Sequence, residues 1–347
     1  MTGSPQPNLA DLDLDTRYSP AVIDRFARLV DRLPLPAWAF YLALFAGGYL
    51  LFAAGRWIAG QRDPGFIAWP APALVWDVSI LALHQYLDGY ALTSLRRFNR
   101  ALGASEDDLQ RLGNRLTTLP ARYEIAGAGF WVLLASVLTA VQLSSFREYF
   151  APWELAVSIL SFLIGGAFFA HVIYQLRLVS RIHASAREID LFDPEPLYSF
   201  SGLTVRTAIG FVLIQYLVVL ALPSEIRTST VLVPVAAVVA LAVLVFVWPL
   251  WGMHRRLEAR KHAMEGDISG LLKKSVARVT DAAVTGVVED PETLEKTLGA
   301  LRAAQATVAD LSTWPWQPSA VRGLATALLL PIVIFLLQQM LARLAGF

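Results

Sequence analysis

The chain of 347 residues contains no cysteine, and this absence excludes several classes of protein. Without thiols there is no disulfide scaffold, no thiolate zinc site, no iron–sulfur cluster and no cysteine nucleophile. Charge is also sparse, since 16% of the residues are charged against about 25% in a typical soluble domain. The formal net charge of +1 gives the molecule no strong field for nucleic acid, so we expect no nucleic-acid partner.

The sequence signatures of several enzymes and pigments are missing too. There is no G-x-x-x-x-G-K-[ST], no H-E-x-x-H and no G-x-S-x-G motif. None of the four lysines falls in an apolar stretch, and a retinal Schiff base needs a lysine inside the membrane. We therefore expect neither an enzyme nor a rhodopsin, and no catalytic residue, bound cofactor or metal.

Hydrophobic residues, in contrast, make up 56% of the chain. A helix needs about 20 mostly apolar residues to cross a bilayer. The composition therefore predicts an all-α, multi-pass membrane protein of the bacterial inner membrane, with the lipid bilayer as its first partner. Seven stretches qualify as transmembrane helices: 35–55, 70–92, 126–145, 152–176, 207–222, 230–252 and 321–343.

Lysine and arginine are distributed unevenly between the connections. The segments 1–34, 93–125, 177–206 and 253–320 hold 4, 6, 4 and 9 of them, and the segments on the other side hold five. Because cytoplasmic loops carry an excess of Lys and Arg, this pattern predicts seven spans with the N-terminus inside and the C-terminus outside. If 70–92 did not cross the membrane, the count would fall to six and the C-terminus would change sides.

Residues 1–34 are predicted to be a cytoplasmic N-terminal segment. The other three inside segments are predicted to be helical and to form a cytoplasmic bundle before the final membrane helix, 321–347. Ser105 and Asp108 have the spacing of a capping box. A stripe from Leu294 to Val308 has coiled-coil spacing, and it packs either within the chain or against another subunit. The 253–320 insertion opens on a basic cluster that either binds anionic lipid headgroups or only enforces the topology. This cluster consists of Arg255, Arg256, Arg260 and Lys261.

Four ionisable residues within the predicted spans form a candidate intramembrane polar site. Asp77, His84 and Asp88 follow one another at spacings of seven and four, which places them on one helical face. His171 lies at a similar depth in the fourth span. Ionisable groups are costly in hydrocarbon and are functional candidates by default. Three interpretations remain open: hydrogen bonding between helices, a proton- or cation-responsive site, and haem ligation by His84 and His171.

The last predicted span combines an apolar run with two amides. Leu330 and Ile334 precede Gln338 and Gln339. Membrane glutamines usually hold helices together, but an apolar segment leading to amides is also typical of a pore-lining helix with a gate. These four residues are therefore the candidates for a pore or gate.

The layout as a whole resembles that of insect odorant and gustatory receptor channels, which share the inside N-terminus and a helical insertion before a final pore-like helix. The resemblance implies a homo-oligomeric channel or sensor, and it carries over no site residue. The leading hypothesis is therefore an oligomeric ion channel. The alternatives are a proton-coupled transporter or haem-binding protein that uses His84, Asp88 and His171, and a membrane scaffold without chemistry of its own; the ion or small-molecule ligand is not specified.

Overall fold

A computed structural model describes residues 12, 19–60, 71–146, 152–187, 189–221, 232–285 and 291–344. The described residues are overwhelmingly helical and contain no strand, so the predicted all-α class is confirmed. The α-helices are α1 (Val22–Asp31), α2 (Ala37–Ile58), α3 (Ala71–Leu102), α4 (Glu106–Leu116), α5 (Ala121–Phe146), α6 (Pro152–Ala184), α7 (Ser201–Ala221), α8 (Leu232–Thr285), α9 (Pro291–Asp310) and α10 (Pro318–Leu344). A single 3₁₀ turn, Pro196–Tyr198, precedes α7.

Each of the seven predicted spans coincides with a long helix, but fewer of these helices have the hydropathy of a membrane span. Within the described residues, four stretches are long and apolar enough to cross a bilayer: Ala37–Ile58, Ala156–Ala184, Pro196–Ala221 and Ala236–Asp281. The helix α3 falls short because its first half carries Asp77, His84, Gln85 and Asp88. The helices α5 and α10 both include residues whose side chains lie outside the described part of the chain. The described structure is thus all-helical and compatible with a membrane protein, with four helices that qualify as candidate spans.

The helices α3 and α6 form the centre of the molecule. The buried stripe of α3 includes Ile80, Leu87, Leu95 and Phe98, which recur at intervals of seven, eight and three residues. Such spacing keeps one face of a helix turned toward the core. The facing stripe of α6 includes Phe168, Val172, Leu176 and Val179. In contrast, α2 leaves apolar side chains such as Leu50 and Leu51 exposed, as a lipid-facing helix would.

Glycines allow α5 and α6 to cross at very short range. A Cβ atom on Gly166 would lie 2.6 Å from the carbonyl oxygen of Gly127, and one on Gly127 would lie 2.7 Å from the carbonyl oxygen of Gly166. These distances leave no room for any side chain at either position. Small residues bring membrane helices together in this way because dispersion contacts between the backbones replace those of larger side chains.

The segment between the predicted second and third spans folds as expected from its capping box. The hydroxyl of Ser105 accepts a hydrogen bond from the Asp108 amide, at 3.2 Å, and donates one to the Asp108 carboxylate, at 2.8 Å. This pairing starts α4 at Glu106. The fourth predicted span does continue as a helix, because α6 runs on to Ala184, and the cytoplasmic location of this extension stays a prediction.

The longest helix, α8, passes without interruption through residue 252 and through Pro249. The boundary between the sixth span and the 253–320 insertion is therefore not a break in the backbone. Beyond it, α9 runs back against α8, and the Lys261 ammonium donates to the carbonyl oxygens of Ala309 and Leu311 at 2.5 and 3.0 Å. This contact closes the end of α9 before the chain turns into α10.

The short helix α1 lies on the bundle instead of extending into solvent. Its amide at Val22 donates to both carboxylate oxygens of Glu124, at 2.9 and 3.0 Å. A carboxylate at that position satisfies amides that have no partner within the helix and complements the helix dipole. The Ala21 amide adds a bond to the carbonyl oxygen of Leu119, at 3.2 Å. These contacts fix the position from which Asp24 reaches into the core.

Candidate metal centre

Four ionisable side chains from three helices meet at the centre of the described structure. Asp24 comes from α1, His84 and Asp88 come from α3, and His171 comes from α6. One nitrogen or oxygen atom of each lies within 4.8 Å of the corresponding atoms of the others. Three of these residues belong to the predicted polar site, and Asp24 is added by the fold.

The positions of the two histidines follow from the apolar stripes of their helices. His84 lies between Ile80 and Leu87 in the buried stripe of α3 and is 1% exposed. His171 lies between Phe168 and Val172 in α6 and is also 1% exposed. The hydrophobic residues around them hold the two imidazole rings edge to face, with centroids 4.3 Å apart. Both imidazole rings therefore lie in a polar region within an otherwise apolar core.

The distances within the cluster are of two kinds. The Oδ1 atom of Asp24 lies 3.4 Å from Nε2 of His84 and 3.4 Å from Nδ1 of His171. The Oδ2 atom of Asp88 lies 3.7 Å from Nε2 of His84. The remaining contact is shorter, with 2.9 Å between Nε2 of His171 and Oδ1 of Asp88. The short contact is a hydrogen bond, and the three longer ones exceed the usual range of about 2.7–3.2 Å.

The surrounding hydrogen bonds orient each acid toward the centre. The Oδ2 atom of Asp24 accepts a bond from the Leu119 amide at 2.8 Å, which leaves Oδ1 facing the histidines. The Gln175 amide donates to Oδ1 of Asp88 at 3.1 Å and to the carbonyl oxygen of Leu116, also at 3.1 Å. With its proton on Nε2, His171 donates to Oδ1 of Asp88, and its Nδ1 then presents a lone pair to Asp24. The acids and imidazoles are thus held in place by atoms that do not face the centre.

Several buried polar atoms of the cluster lack a hydrogen bond. Within the described residues, neither ring nitrogen of His84 has a hydrogen-bond partner, nor does Nδ1 of His171 or Oδ1 of Asp24. Such atoms are rare because an unsatisfied buried polar group costs about 1–3 kcal/mol. Four of them in one place indicate that the site accommodates a group that satisfies them.

The electrostatics of the cluster keep Asp24 ionised. Burial alone would raise the pKa of its carboxyl, but attraction to the nearby His171 and His84 side chains outweighs burial and holds the pKa well below its usual range. The usual value is about 4. Asp24 therefore offers a carboxylate, not a carboxylic acid, at every physiological pH.

The donor set fits a first-row divalent metal ion. Zinc binds imidazole nitrogen at about 2.0–2.1 Å and carboxylate oxygen at about 2.0–2.2 Å, so the donors of a tetrahedral site lie about 3.3–3.6 Å apart. The separations of 3.4, 3.4 and 3.7 Å around Asp24 and His84 fall close to that range. Two carboxylates and two neutral imidazoles also balance a charge of +2, which suits a buried site. Calcium, with longer bonds and six to eight oxygen ligands, fits less well.

The same geometry does not accommodate haem. Bis-histidine ligation places the iron and the porphyrin between two imidazoles as axial ligands. The rings of His84 and His171 are in contact, at 4.3 Å between centroids, and leave no such space. The haem interpretation of these two histidines is therefore not supported by their arrangement.

The fourth residue of the predicted polar site, Asp77, lies apart from the cluster. Its Oδ2 atom accepts a hydrogen bond from the Ser161 hydroxyl at 2.7 Å, which links α3 to α6. Seven residues along α3 separate it from His84, or about 10 Å. Asp77 thus supplies a half-buried carboxylate on the same helix that lies about two turns away from the imidazoles.

The four residues of the predicted headgroup cluster differ in their surroundings. Two of them bind other parts of the chain, and the other two are exposed. Arg256 donates to the carbonyl oxygens of His183 and Ala186, at 2.6 and 3.1 Å, and so closes the end of α6. Lys261 has the contacts with the end of α9 described above. Arg255, which lies over the Trp251 ring at 5.7 Å, and Arg260 are exposed. Contact of this cluster with lipid headgroups stays a prediction.

The pore candidates all lie on α10. The side chains of Leu330, Ile334, Gln338 and Gln339 lie outside the described residues. Whether any of them lines a pore stays a prediction from the sequence.

Sequence reasoning overlooked Asp24, although a local signal exists. The buried face of α1 comprises Ile23, Asp24, Ala27 and Val30. An aspartate on the apolar face of an amphipathic helix needs a partner where that face docks. The pattern alone does not reveal that the partners are histidines 60 and 147 positions further along the chain.

Comparisons with protein-family models, with curated proteins and with solved structures find no match to this chain. The fold and the cluster thus define a class only, that of a helical protein with four described helices long and apolar enough to cross a membrane and with a site of two histidines and two aspartates in its core.

Proposed function

We propose that this protein binds one divalent transition-metal ion, with zinc as the best fit, through Asp24, His84, Asp88 and His171. The observation that carries the proposal is the set of buried donor atoms that face one another at 3.4 Å without a hydrogen bond. Shared protons would draw such pairs to hydrogen-bonding distance, whereas a central ion holds its ligands apart. The proposal departs from the expectation of no metal, which was drawn without Asp24, and extends the cation-responsive interpretation.

The metal would act as a clamp between α1 and the membrane bundle. All four ligands come from the protein, and sites closed in this way are structural, whereas catalytic sites leave a position open for water or substrate. Asp88, whose side chain is 15% exposed, is the ligand that solvent can reach. Asp24 is the only ligand on α1, so the ion would join that helix to α3 and α6. A metal-dependent docking element of this kind requires no enzymatic activity.

Measurement of bound metal tests the proposal directly. The full-length protein is purified in mild detergent, loaded with Zn²⁺ and desalted, and its metal content is measured by inductively coupled plasma mass spectrometry. We expect about one ion per chain, and close to none for Asp24→Asn or His84→Asn, because removal of one of four ligands typically lowers the affinity by orders of magnitude.

Asp77→Asn is the matched control, because it changes a half-buried carboxylate of the same helix that binds Ser161 and not the cluster. It should retain the ion. Circular dichroism and size-exclusion profiles check that each variant is folded. The proposal is wrong if the wild-type protein retains no Zn²⁺, Mn²⁺ or Fe²⁺, or if Asp24→Asn and Asp77→Asn retain equal amounts.

We also propose the seven-span topology with an inside N-terminus, in which the metal centre lies near the cytoplasmic surface. Seven long helices and the asymmetry of Lys and Arg support it. The absence of cysteine makes single-cysteine labelling free of background. We expect Ser224→Cys and Phe347→Cys to react with an impermeant maleimide added to intact cells, and Gly266→Cys to react only after lysis. Labelling of Gly266→Cys in intact cells would contradict this topology.

The channel hypothesis and a homo-oligomeric state remain proposals of the sequence. They depend on the last helix, where the described structure gives no side-chain geometry for the pore candidates, and on the stripe of α9. The metal centre, in contrast, rests on distances between buried side chains, and it is the function that the described geometry supports best.

A further inference from the structure

A second polar site lies away from the metal centre, in a cavity of about 990 Å³ between α3, α7 and α10. Its volume is in the range of small-molecule binding sites, which is about 300–1,000 Å³. The second half of α3, the 3₁₀ turn before α7, the first turns of α7 and the beginning of α10 form its walls. None of the four ligands of the proposed metal centre lines it.

The charge of this cavity is strongly positive. Arg96, Arg97, Arg100 and Arg206 line it, and the only acidic residue among the lining residues is Glu195. Arg100 also lies 3.9 Å from the carboxylate of Asp193, a weak exposed pair. Within the described residues, Arg96, Arg97 and Arg206 form no ion pair with a carboxylate. At least three guanidinium groups thus surround a space without a matching negative charge.

Arg206 is the best positioned of these groups. It is half-buried, and its guanidinium lies 3.9 Å above the Tyr90 ring. It donates to the Tyr86 hydroxyl at 2.9 Å and to the carbonyl oxygen of Gly202 at 3.1 Å. These neutral partners fix the orientation of the guanidinium without cancelling its charge. Planar guanidinium groups held in this way suit the oxygens of a phosphate group.

The cavity also has apolar walls. Val205 and Ile209 of α7 line it on either side of Arg206 in the sequence. The first residues of α7 and α10 line it too, so the positive dipole ends of these helices add to the field. A ligand with a phosphate group joined to an apolar chain matches this combination of surfaces.

We propose that this cavity binds a phosphate group through Arg96, Arg97 and Arg206, with an anionic phospholipid headgroup and free phosphate as the two sources to distinguish. Nothing in the proposal depends on the metal centre. In the proposed topology the arginines lie at the cytoplasmic ends of their helices, where phospholipid headgroups are at hand. Recognition by charge predicts that binding weakens by roughly fivefold for each arginine removed.

Native mass spectrometry of the full-length protein in detergent tests the proposal. The protein is titrated with dioleoylphosphatidylglycerol or with dioleoylphosphatidylcholine, and then with phosphatidylglycerol in the presence of inorganic phosphate. We expect a defined phosphatidylglycerol adduct, and about 25-fold weaker binding for Arg96→Gln/Arg97→Gln. The matched control is Arg278→Gln, which removes an exposed arginine of α8 far along the chain. Both substituted arginines are exposed, so the double variant should fold normally.

The outcomes separate the two sources. Selective binding of phosphatidylglycerol that inorganic phosphate does not displace identifies the lipid headgroup. Displacement by millimolar inorganic phosphate, with the same loss in the double variant, identifies free phosphate. The proposal is overturned if phosphatidylcholine binds as well as phosphatidylglycerol, if neither phosphate source binds, or if the double variant and Arg278→Gln bind alike.

Discussion

We expect removal of the proposed metal ion from the wild-type protein to lower its thermal midpoint by about 5 °C or more, and we expect Asp24→Asn not to respond to the chelator. An ion present at 1,000 times its dissociation constant stabilises the folded state by about 4 kcal/mol. In smaller domains, each kcal/mol of stability shifts the thermal midpoint by about 2–4 °C. By extension, we expect a shift of roughly one to a few degrees per kcal/mol in a chain of this size. Differential scanning fluorimetry with and without chelator gives the measurement.

The same experiment has a local readout at the N-terminus. Because Asp24 is the only ligand on α1, we expect metal removal to increase amide hydrogen exchange over residues 19–31. The exchange of residues 291–310, on α9, should stay unchanged. Asp77→Asn should respond to chelator as the wild type does. The clamp would be contradicted if the chelator lowered the thermal midpoint of Asp24→Asn as much as that of the wild-type protein.

Substitution of Gly166 by alanine destabilises the protein by about 3 kcal/mol, because the new methyl group would overlap with backbone atoms of α5. The added Cβ would lie 2.6 Å from the carbonyl oxygen of Gly127, 2.7 Å from Cα of Ala128 and 2.8 Å from Cβ of Trp131. Overpacking of a well-packed interior typically costs 1–3 kcal/mol, and more where backbone has to move. The thermal midpoint and the yield of monodisperse protein report the loss.

The matched control for Gly166→Ala is Gly129→Ala on the facing helix. A Cβ at Gly129 meets no atom within 4 Å. Alanine favours a helix over glycine by up to about 1 kcal/mol, so this variant should be neutral or slightly stabilised. Equal behaviour of the two variants would show that the crossing of α5 and α6 is not as close as described.

Periodicity and composition predict local features of this fold, and the physical reasons are visible in particular residues. The Ser105 hydroxyl and the Asp108 amide interact within one turn, so four residues of sequence contain the whole interaction. Likewise, Asp77, His84 and Asp88 share a face of α3 because the helical repeat alone decides it. The number of membrane spans is harder to predict. Spans are recognised by their hydropathy, and the polar residues of α3 lower the hydropathy of that helix.

The complete cluster lies beyond such reasoning, since it depends on contacts between distant parts of the chain. Asp24 reaches the histidines only because Glu124 and Leu119 dock the start of α1 on the bundle. No local pattern contains that contact. The internal role of Arg256 has the same origin, because its acceptors lie at the end of α6, about 70 residues earlier. Charge near a membrane helix predicts orientation, and tertiary contacts decide what each charged group binds.

The helix α8 is continuous and long enough to act as a lever. With a rise of about 1.5 Å per residue, the 54-residue helix is about 80 Å long, whereas the hydrocarbon core of a bilayer is about 30 Å thick. Pro249 is the natural pivot within it, because proline removes a backbone hydrogen bond and weakens the helix locally. From there to Thr285 the arm is about 54 Å long, so a tilt of 10° would move its far end by about 9 Å. In the proposed topology, small rearrangements among the membrane helices would thereby be amplified into larger displacements at the far end of α8.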